Sequence, residues 1–292
     1  MSIWTPIPYS PDPAHPEHGL GRHIHRPDGF ETRMVESQDP TTIQNVTWQR
    51  QCAAFNQGSV GSCTGNAAAG CAMTQSFFVP GRSFGEPTAL WIYSEATKYN
   101  GGGGTYPPDD TGSSGPASAM ALEEMGLISA YTHATDLNGA LTGLQSGPGS
   151  FGISWYTSFD TPLQTGECPL TPGATVRGGH EIEAFSVDTV NQRVWFWQSW
   201  GTTWGGIGNG TFFLSYATLN SLFAEGADAT FFSGTQQVWP TGTPDPFGAD
   251  PDDPNPQPAP VPTPGPAPVP TPGPAPVVSP TVCERVKSWF KG

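Results

Sequence analysis

Apolar positions change their spacing along this chain of 292 residues, and the change falls near residue 150. Upstream, the small and apolar run Ala67–Met73 is compatible with a helix. Leu90, Trp91, Tyr93, Ala96, Thr97 and Tyr99 suggest a second, ended by Asn100 and the glycines 101–104. A third is expected over Ala117–Met125, with Pro116 in its first turn and Gly126 after its end. Gly65 and Gly70 are poor helix formers, so their place in the first helix predicts close packing against a neighbouring surface. Downstream, Phe151, Ile153 and Trp155, then Glu181–Val187, Arg193–Gln198 and Thr211–Ser215 read as strands rich in aromatic and β-branched residues. Asp188–Asn191 supplies turn chemistry between two of them. An antiparallel hairpin centred on Thr189 brings His180 opposite or near Gln198. Two polar residues then meet at the open end of an apolar hairpin, where packing alone gives no reason for them.

The ends of the chain lack this periodicity. Residues 1–48 are rich in Pro, His and Asp and read as a lead-in wrapping the domain surface. His15, His18, His23 and His25 lie in it and are expected to be solvated, with no metal site. The folded domain is expected over 49–240. From Pro256 to Pro276 every second residue is proline, and Pro260–Ala267 recurs eight residues later, so 241–280 reads as a disordered, extended spacer. In 281–292, Val282, Val286, Trp289 and Phe290 share a helical face among basic residues. That short amphipathic tail could dock on a partner or a membrane surface, or stay frayed.

Composition narrows the choice of function. The formal net charge is −14, which argues against a nucleic-acid partner, since phosphate binding needs a basic face. The five cysteines show no Cys-x-x-Cys spacing and are too sparse for a disulfide scaffold. Neither a secretory signal nor a membrane-spanning run is visible, which predicts a cytoplasmic or phage-associated location.

The chemistry concentrates in Gln57-Gly58-Ser59-Val60-Gly61-Ser62-Cys63-Thr64-Gly65-Asn66. Glycines make a turn-rich approach to Cys63, which then opens a helix. Partial positive charge and free N–H groups at a helix start favour a thiolate, so Cys63 is a candidate nucleophile. Its own N–H and the side chain of Gln57 are candidate oxyanion donors. The alternative for a lone cysteine is a buried structural role. His180 is the candidate base.

This stretch resembles the papain-like cysteine peptidases, whose pattern is Gln-Gly-x-Cys-Gly-Ser-Cys-Trp. Gln57, Gly58, Gly61, Ser62 and Cys63 match, while Val60 replaces a disulfide-forming Cys and Thr64 replaces Trp. The wording is closest to the bacterial and phage branch without an inhibitory propeptide. Gln198-Ser199-Trp200-Gly201-Thr202-Thr203-Trp204-Gly205 resembles that family's Asn-Ser-Trp-Gly-x-x-Trp-Gly, with Gln198 in place of the Asn that orients the histidine. The resemblance spans roughly residues 20–235. It implies an α+β fold of two lobes, a helical one carrying Cys63 and an antiparallel β one carrying His180. It also implies a cofactor-free cysteine endopeptidase acting through a thioester on a peptide or protein substrate, working as a monomer. Catalytic roles then fall to Cys63, His180, Gln198 and Gln57. Gly112 and Ser113 would bind substrate backbone, and Trp200 would shield the His180–Gln198 contact. Two alternatives stay open: a catalytically impaired binding or structural module of the same fold, and a cell-wall peptide hydrolase.

Overall fold

Three helices precede all but the first strand of the sheet, and glycines decide how tightly they pack. The structure, a computed structural model, describes residues 17–24, 33–77, 84–100 and 105–234. Chain contacts divide the protein into Met1–Pro260 and Val261–Gly292. The second unit lies outside the described residues, as do the spacer 241–280 and the tail 281–292. Helix α1 spans Cys63–Ala72, α2 spans Glu86–Thr97 and α3 spans Gly115–Glu124. Every residue of α1 is buried. A Cβ on Gly65 would sit 2.1 Å from the Ala89 carbonyl oxygen of α2, and one on Gly70 would sit 2.2 Å from Glu183 Oε2 of the sheet. The two glycines thus let α1 lie between a helix and a sheet, as their position predicts.

The ends of α2 and α3 follow local chemistry. The α2 helix begins at Glu86, four residues before the expected Leu90, because Pro87 fits its first turn and Glu86 suits the positive end of the dipole. Ser114 caps α3 by accepting from the Ala117 N–H, with Pro116 in the first turn. Gly126 follows with φ of 69°, a left-handed stop that glycine supplies at little cost.

The sheet is antiparallel, with strands β1 (Val46–Thr47), β2 (Ala130–Ala134), β3 (Gly149–Tyr156), β4 (Val176–Asp188), β5 (Arg193–Trp197), β6 (Thr211–Ser215) and β7 (Asp228–Ser233). Their order is β2-β7-β3-β4-β5-β6, with β1 on β4. Two further helices, α4 (Leu137–Gly143) and α5 (Tyr216–Ala224), complete the described elements. Side chains alternate between faces, so aligned rows across strands have opposite characters. Ile182, Phe151 and Ala229 form one apolar row, and Phe151, Ile153, Trp155 and Phe196 belong to the core that includes Leu141, Leu219 and Leu222 of α4 and α5. The neighbouring rows are polar: Glu181, Gly152 and Asp228 in one, Glu183, Ser150 and Thr230 in the next.

Those buried polar rows meet the helical half. Glu183 receives a hydrogen bond of 2.7 Å from Arg50 Nη1 and one of 2.5 Å from Thr74 Oγ1. Both partners of the Arg50–Glu183 pair are almost fully buried. Among the described residues no helix is long and apolar enough to cross a membrane.

Candidate active site

Cys63 is the first residue of α1, as its Gly-rich approach predicts. Hydrogen bonds hold that approach. The Gly61 N–H donates to Asp110 Oδ2 at 2.8 Å, and Asp110 Oδ1 accepts from Tyr93 Oη at 2.5 Å. The same tyrosine oxygen accepts from the Gly112 N–H, so the Cys63 loop and the Gly112–Ser113 loop share one anchor. Gln57 is tied across to the β half: its N–H donates to the Ser199 carbonyl, and Ser199 Oγ donates to its Oε1 at 2.5 Å. Its amide nitrogen donates one hydrogen to the Val60 carbonyl at 2.8 Å.

His180 and Gln198 do meet, though not as direct cross-strand partners. Asp188 pairs with Arg193, so the turn is centred between Val190 and Asn191, past the expected Thr189, and further along Glu183 pairs with Trp197. Continued past the end of β5, that register sets Gln198 beside Ile182 and makes His180 its diagonal neighbour, a span long side chains can cover. A bulge between Ala184 and Ser186 takes back part of the shift, moving the centre of the pairing to Val190. His180 Nε2 lies 2.6 Å from Gln198 Oε1, which also accepts from the Ser199 N–H at 2.8 Å. An oxygen taking a backbone donor is an acceptor, so Nε2 carries the ring proton and Nδ1 keeps its lone pair. Nδ1 is buried without a hydrogen-bond partner. Trp200 stacks on the His180 ring at 4.9 Å, and Trp155 meets its side at 5.1 Å. Both tryptophans are buried, so this hydrogen bond is shielded from water.

The lead-in departs from expectation. Gly19–His23 is buried, although the sequence reads as a surface wrap. The Gly19 N–H donates to the Gly58 carbonyl, and the N–H groups of Gly21 and Arg22 both approach the Gly179 carbonyl. Ser113 donates its N–H to the Gly21 carbonyl at 2.8 Å and accepts from the His23 N–H at 2.6 Å. Trp200 Nε1 donates to the Gly19 carbonyl. The segment therefore runs across every loop proposed to carry chemistry. Its glycines make this possible: a Cβ on Gly21 would sit 2.1 Å from the Gly61 oxygen, and one on Gly19 would sit 2.4 Å from the Val60 oxygen. Two of the lead-in histidines are not solvated loop groups. His23 is 8 % exposed and bonds the Thr111 carbonyl. His18 stacks on Trp200 at 4.4 Å. His15 and His25 lie outside the described residues.

Burial reverses the electrostatics expected of a nucleophile pair. The Cys63 thiol is pushed up to about 12, first by burial and then by the charge of Glu181. Backbone hydrogen bonds from Glu181, Gly21 and Thr64 oppose this but do not overcome it. They also place the thiol beside the residue that follows His180. The His180 ring is pushed down to about 3, chiefly by burial, against the favourable bond from Gln198. Both shifts favour a neutral thiol and a neutral imidazole over the thiolate and imidazolium that the helix start predicts. Desolvation thus outweighs what the helix start offers the thiolate.

The fold has counterparts among solved structures. Xylellain, a cysteine protease from Xylella fastidiosa, superposes with a TM-score of 0.58 at 18 % identity, covering 76 % of this chain and 98 % of xylellain. Digestive procathepsin L 3 of Tenebrio molitor larval midgut gives 0.53 at 14 % identity, over 78 % and 84 % of the two chains. The chain has the papain-like cysteine protease fold. Procathepsin B S9 from Trypanosoma congolense shares it at 11 % identity, with a TM-score of 0.51 over 77 % and 89 %. No family model and no curated protein matches the sequence.

Within this papain-like fold, Cys63, His180, Gln198, Gln57, Ser113 and Trp200 lie around one buried strip of lead-in. Gly112 adjoins it as well, since a Cβ there would sit 2.1 Å from the Gly21 oxygen. The sequence reading missed Arg22, Glu181 and Asp228. Arg22 Nη2 donates to Asp228 Oδ2 at 2.7 Å, and both side chains are almost fully buried. Glu181 was hidden by strand alternation, which assigns its position to a solvated face. The signal that could have found it is the second glutamate at Glu183, two acids on one face of a strand flanked by apolar partners.

Proposed function

We propose that the chain is a cysteine peptidase that cleaves peptide bonds through a thioester. The observation that carries this reading is the 2.6 Å His180–Gln198 bond under Trp200, which leaves the unpartnered Nδ1 to serve Cys63. Cys63 Sγ attacks a peptide carbonyl carbon as its proton passes to His180 Nδ1. The oxyanion meets the Cys63 N–H and the second hydrogen of the Gln57 amide. On collapse the C–N bond breaks and His180 returns the proton to the leaving amine. Water, deprotonated by His180, then attacks the thioester and releases the acid with the thiol restored.

This reaction requires the lead-in to leave. In the covered state Gly21 takes the Ser113 N–H that a substrate backbone would use, and the neutral pair is the disfavoured form for attack. Displacement rehydrates Cys63 and His180, which lowers the cost of charging both. Neither a metal nor an organic cofactor enters this scheme.

Hydrolysis of casein and of purified peptidoglycan by the full chain tests the reading, with Cys63→Ala as control. Casein cleavage lost in Cys63→Ala supports it. Cleavage of peptidoglycan alone selects the cell-wall hydrolase. No cleavage of either by wild type or by a chain whose lead-in has been displaced selects the non-catalytic module.

A further inference from the structure

One row of the sheet carries an acid, a glycine and an acid: Glu181 on β4, Gly152 on β3 and Asp228 on β7. Facing positions on adjacent antiparallel strands point to the same side, so two carboxylates flank a position without a side chain. The Arg22 guanidinium lies over that position. A Cβ on Gly152 would sit 2.3 Å from Arg22 Nε and 2.7 Å from Asp228 Oδ1. Arg22 Nη2 donates to Asp228 and to the Gly226 carbonyl at 3.1 Å. Glu181 is 1 % exposed; its Oε1 accepts from Ser150 Oγ, but its Oε2 has no hydrogen-bond partner. The occupant comes from the lead-in strip, whose backbone bonds Ser113 and Gly179, and Arg22 directly follows the residue whose backbone reaches the Cys63 thiol.

We propose that the Glu181–Gly152–Asp228 row is a specificity pocket for an arginine side chain of the substrate, and that Arg22 fills it in the covered state. The proposal rests on the peptidase reading for its substrate class, and on the geometry for its chemistry. When the lead-in leaves, two buried carboxylates lose their counter-charge, and an unpaired buried charge is costly. A substrate arginine restores the cation, the planar donors and the volume together. A lysine lacks the fork, and an apolar side chain leaves both acids unpaired. Burial and then the Asp228 charge push the Glu181 carboxyl up, while the Arg22 charge and the Ser150 hydrogen bond pull it down.

The test uses the full chain carrying Gly21→Val, which has no room for its side chain against the Gly61 carbonyl and so displaces the strip, with Arg22→Ala as the second variant. Capped fluorogenic peptides are compared that differ only at the residue next to the one meeting Cys63, arginine against norleucine. Arginine is expected to raise kcat/KM at least tenfold, and Asp228→Ser is expected to bring the ratio below threefold. An equal or higher value for norleucine, or a ratio that survives Asp228→Ser, overturns the proposal. If no peptide is turned over, the peptidase reading fails while the pocket is still measured. Millimolar methylguanidinium is then expected to raise the Tm of the Arg22→Ala chain by several degrees. Tetramethylammonium should not do so, and Asp228→Ser should abolish the rise; no rise overturns the pocket.

Discussion

His180 and Gln198 are diagonal neighbours across the β4–β5 hairpin, joined at 2.6 Å through the glutamine side-chain oxygen. That bond selects the tautomer that leaves Nδ1 bare. Gln198→Ala removes the acceptor, so the ring loses its fixed orientation. A buried hydrogen bond of this kind is worth about 1–2 kcal/mol. At about 1.4 kcal/mol per factor of ten, turnover should fall about tenfold. Gln198→Asn keeps the amide on a shorter arm and should lie between Ala and wild type. Turnover of a fluorogenic peptide checks this, and an Ala variant equal to wild type removes Gln198 from the site.

The lead-in should control access to Cys63. Gly21 lies against the Gly61 carbonyl with no room for a Cβ, and the clash is with backbone. Gly21→Val should therefore expel the strip. Alkylation of Cys63 by iodoacetamide, followed by peptide mass spectrometry, should be slow in wild type and at least tenfold faster in Gly21→Val. Cys71, buried in α1, serves as the internal reference. Fast labelling of Cys63 in wild type would show that the strip does not seal the thiol.

The Arg50–Glu183 pair should be a stability element. Removing one partner of a buried pair strands the other, at a cost of about 3–5 kcal/mol. Glu183→Ala should show a loss of that order in urea unfolding. Arg50→Met combined with Glu183→Leu should recover much of it, since two apolar groups leave no orphan charge. A loss under 1 kcal/mol in Glu183→Ala would mean the pair behaves as an exposed one.

His133 should contribute to acid sensitivity. Burial, with help from the Arg33 charge, pushes its ring down to about 3, from 6.5. Between those values the unfolded chain binds a proton that the folded chain refuses, so stability is lost as pH falls through the window. The slope is about 1.4 kcal/mol per pH unit for one such group. His180 contributes in the same direction, and Glu181, pushed up, in the opposite one. Both persist in His133→Gln, which retains a partner for Thr230 Oγ1, so the difference isolates His133. Urea unfolding from pH 7 to pH 4 should lose less stability in the variant; equal losses contradict the assignment.

What the sequence discloses follows the range of the interactions. Cys63 at a helix start and His180 beside Gln198 are legible because glycines, caps and hairpins act within about twenty residues. The small discrepancy in register comes from the turn, which is centred past Val190 and not on Thr189; the bulge at Phe185 takes part of it back, and no local pattern announces either. Arg22 and Asp228 are 206 positions apart, and strand β7, which opens with Asp228, is not among the strands the sequence pattern predicts. The sequence likewise presents Gly19, Gly21 and Gly112 as loop glycines, while their function is close backbone approach in the folded molecule. The raised thiol and depressed imidazole are products of that burial and have no local signature.

The most direct test of the central claim is labelling by a thiol-directed peptidyl epoxide, applied to the Gly21→Val chain and mapped by mass spectrometry. The described cysteines Cys52, Cys63, Cys71 and Cys168 are all unpaired, so each is a competitor. Modification confined to Cys63, and lost in His180→Ala, is the expected result. Labelling spread over several cysteines, or undiminished without His180, would contradict a Cys63–His180 catalytic pair.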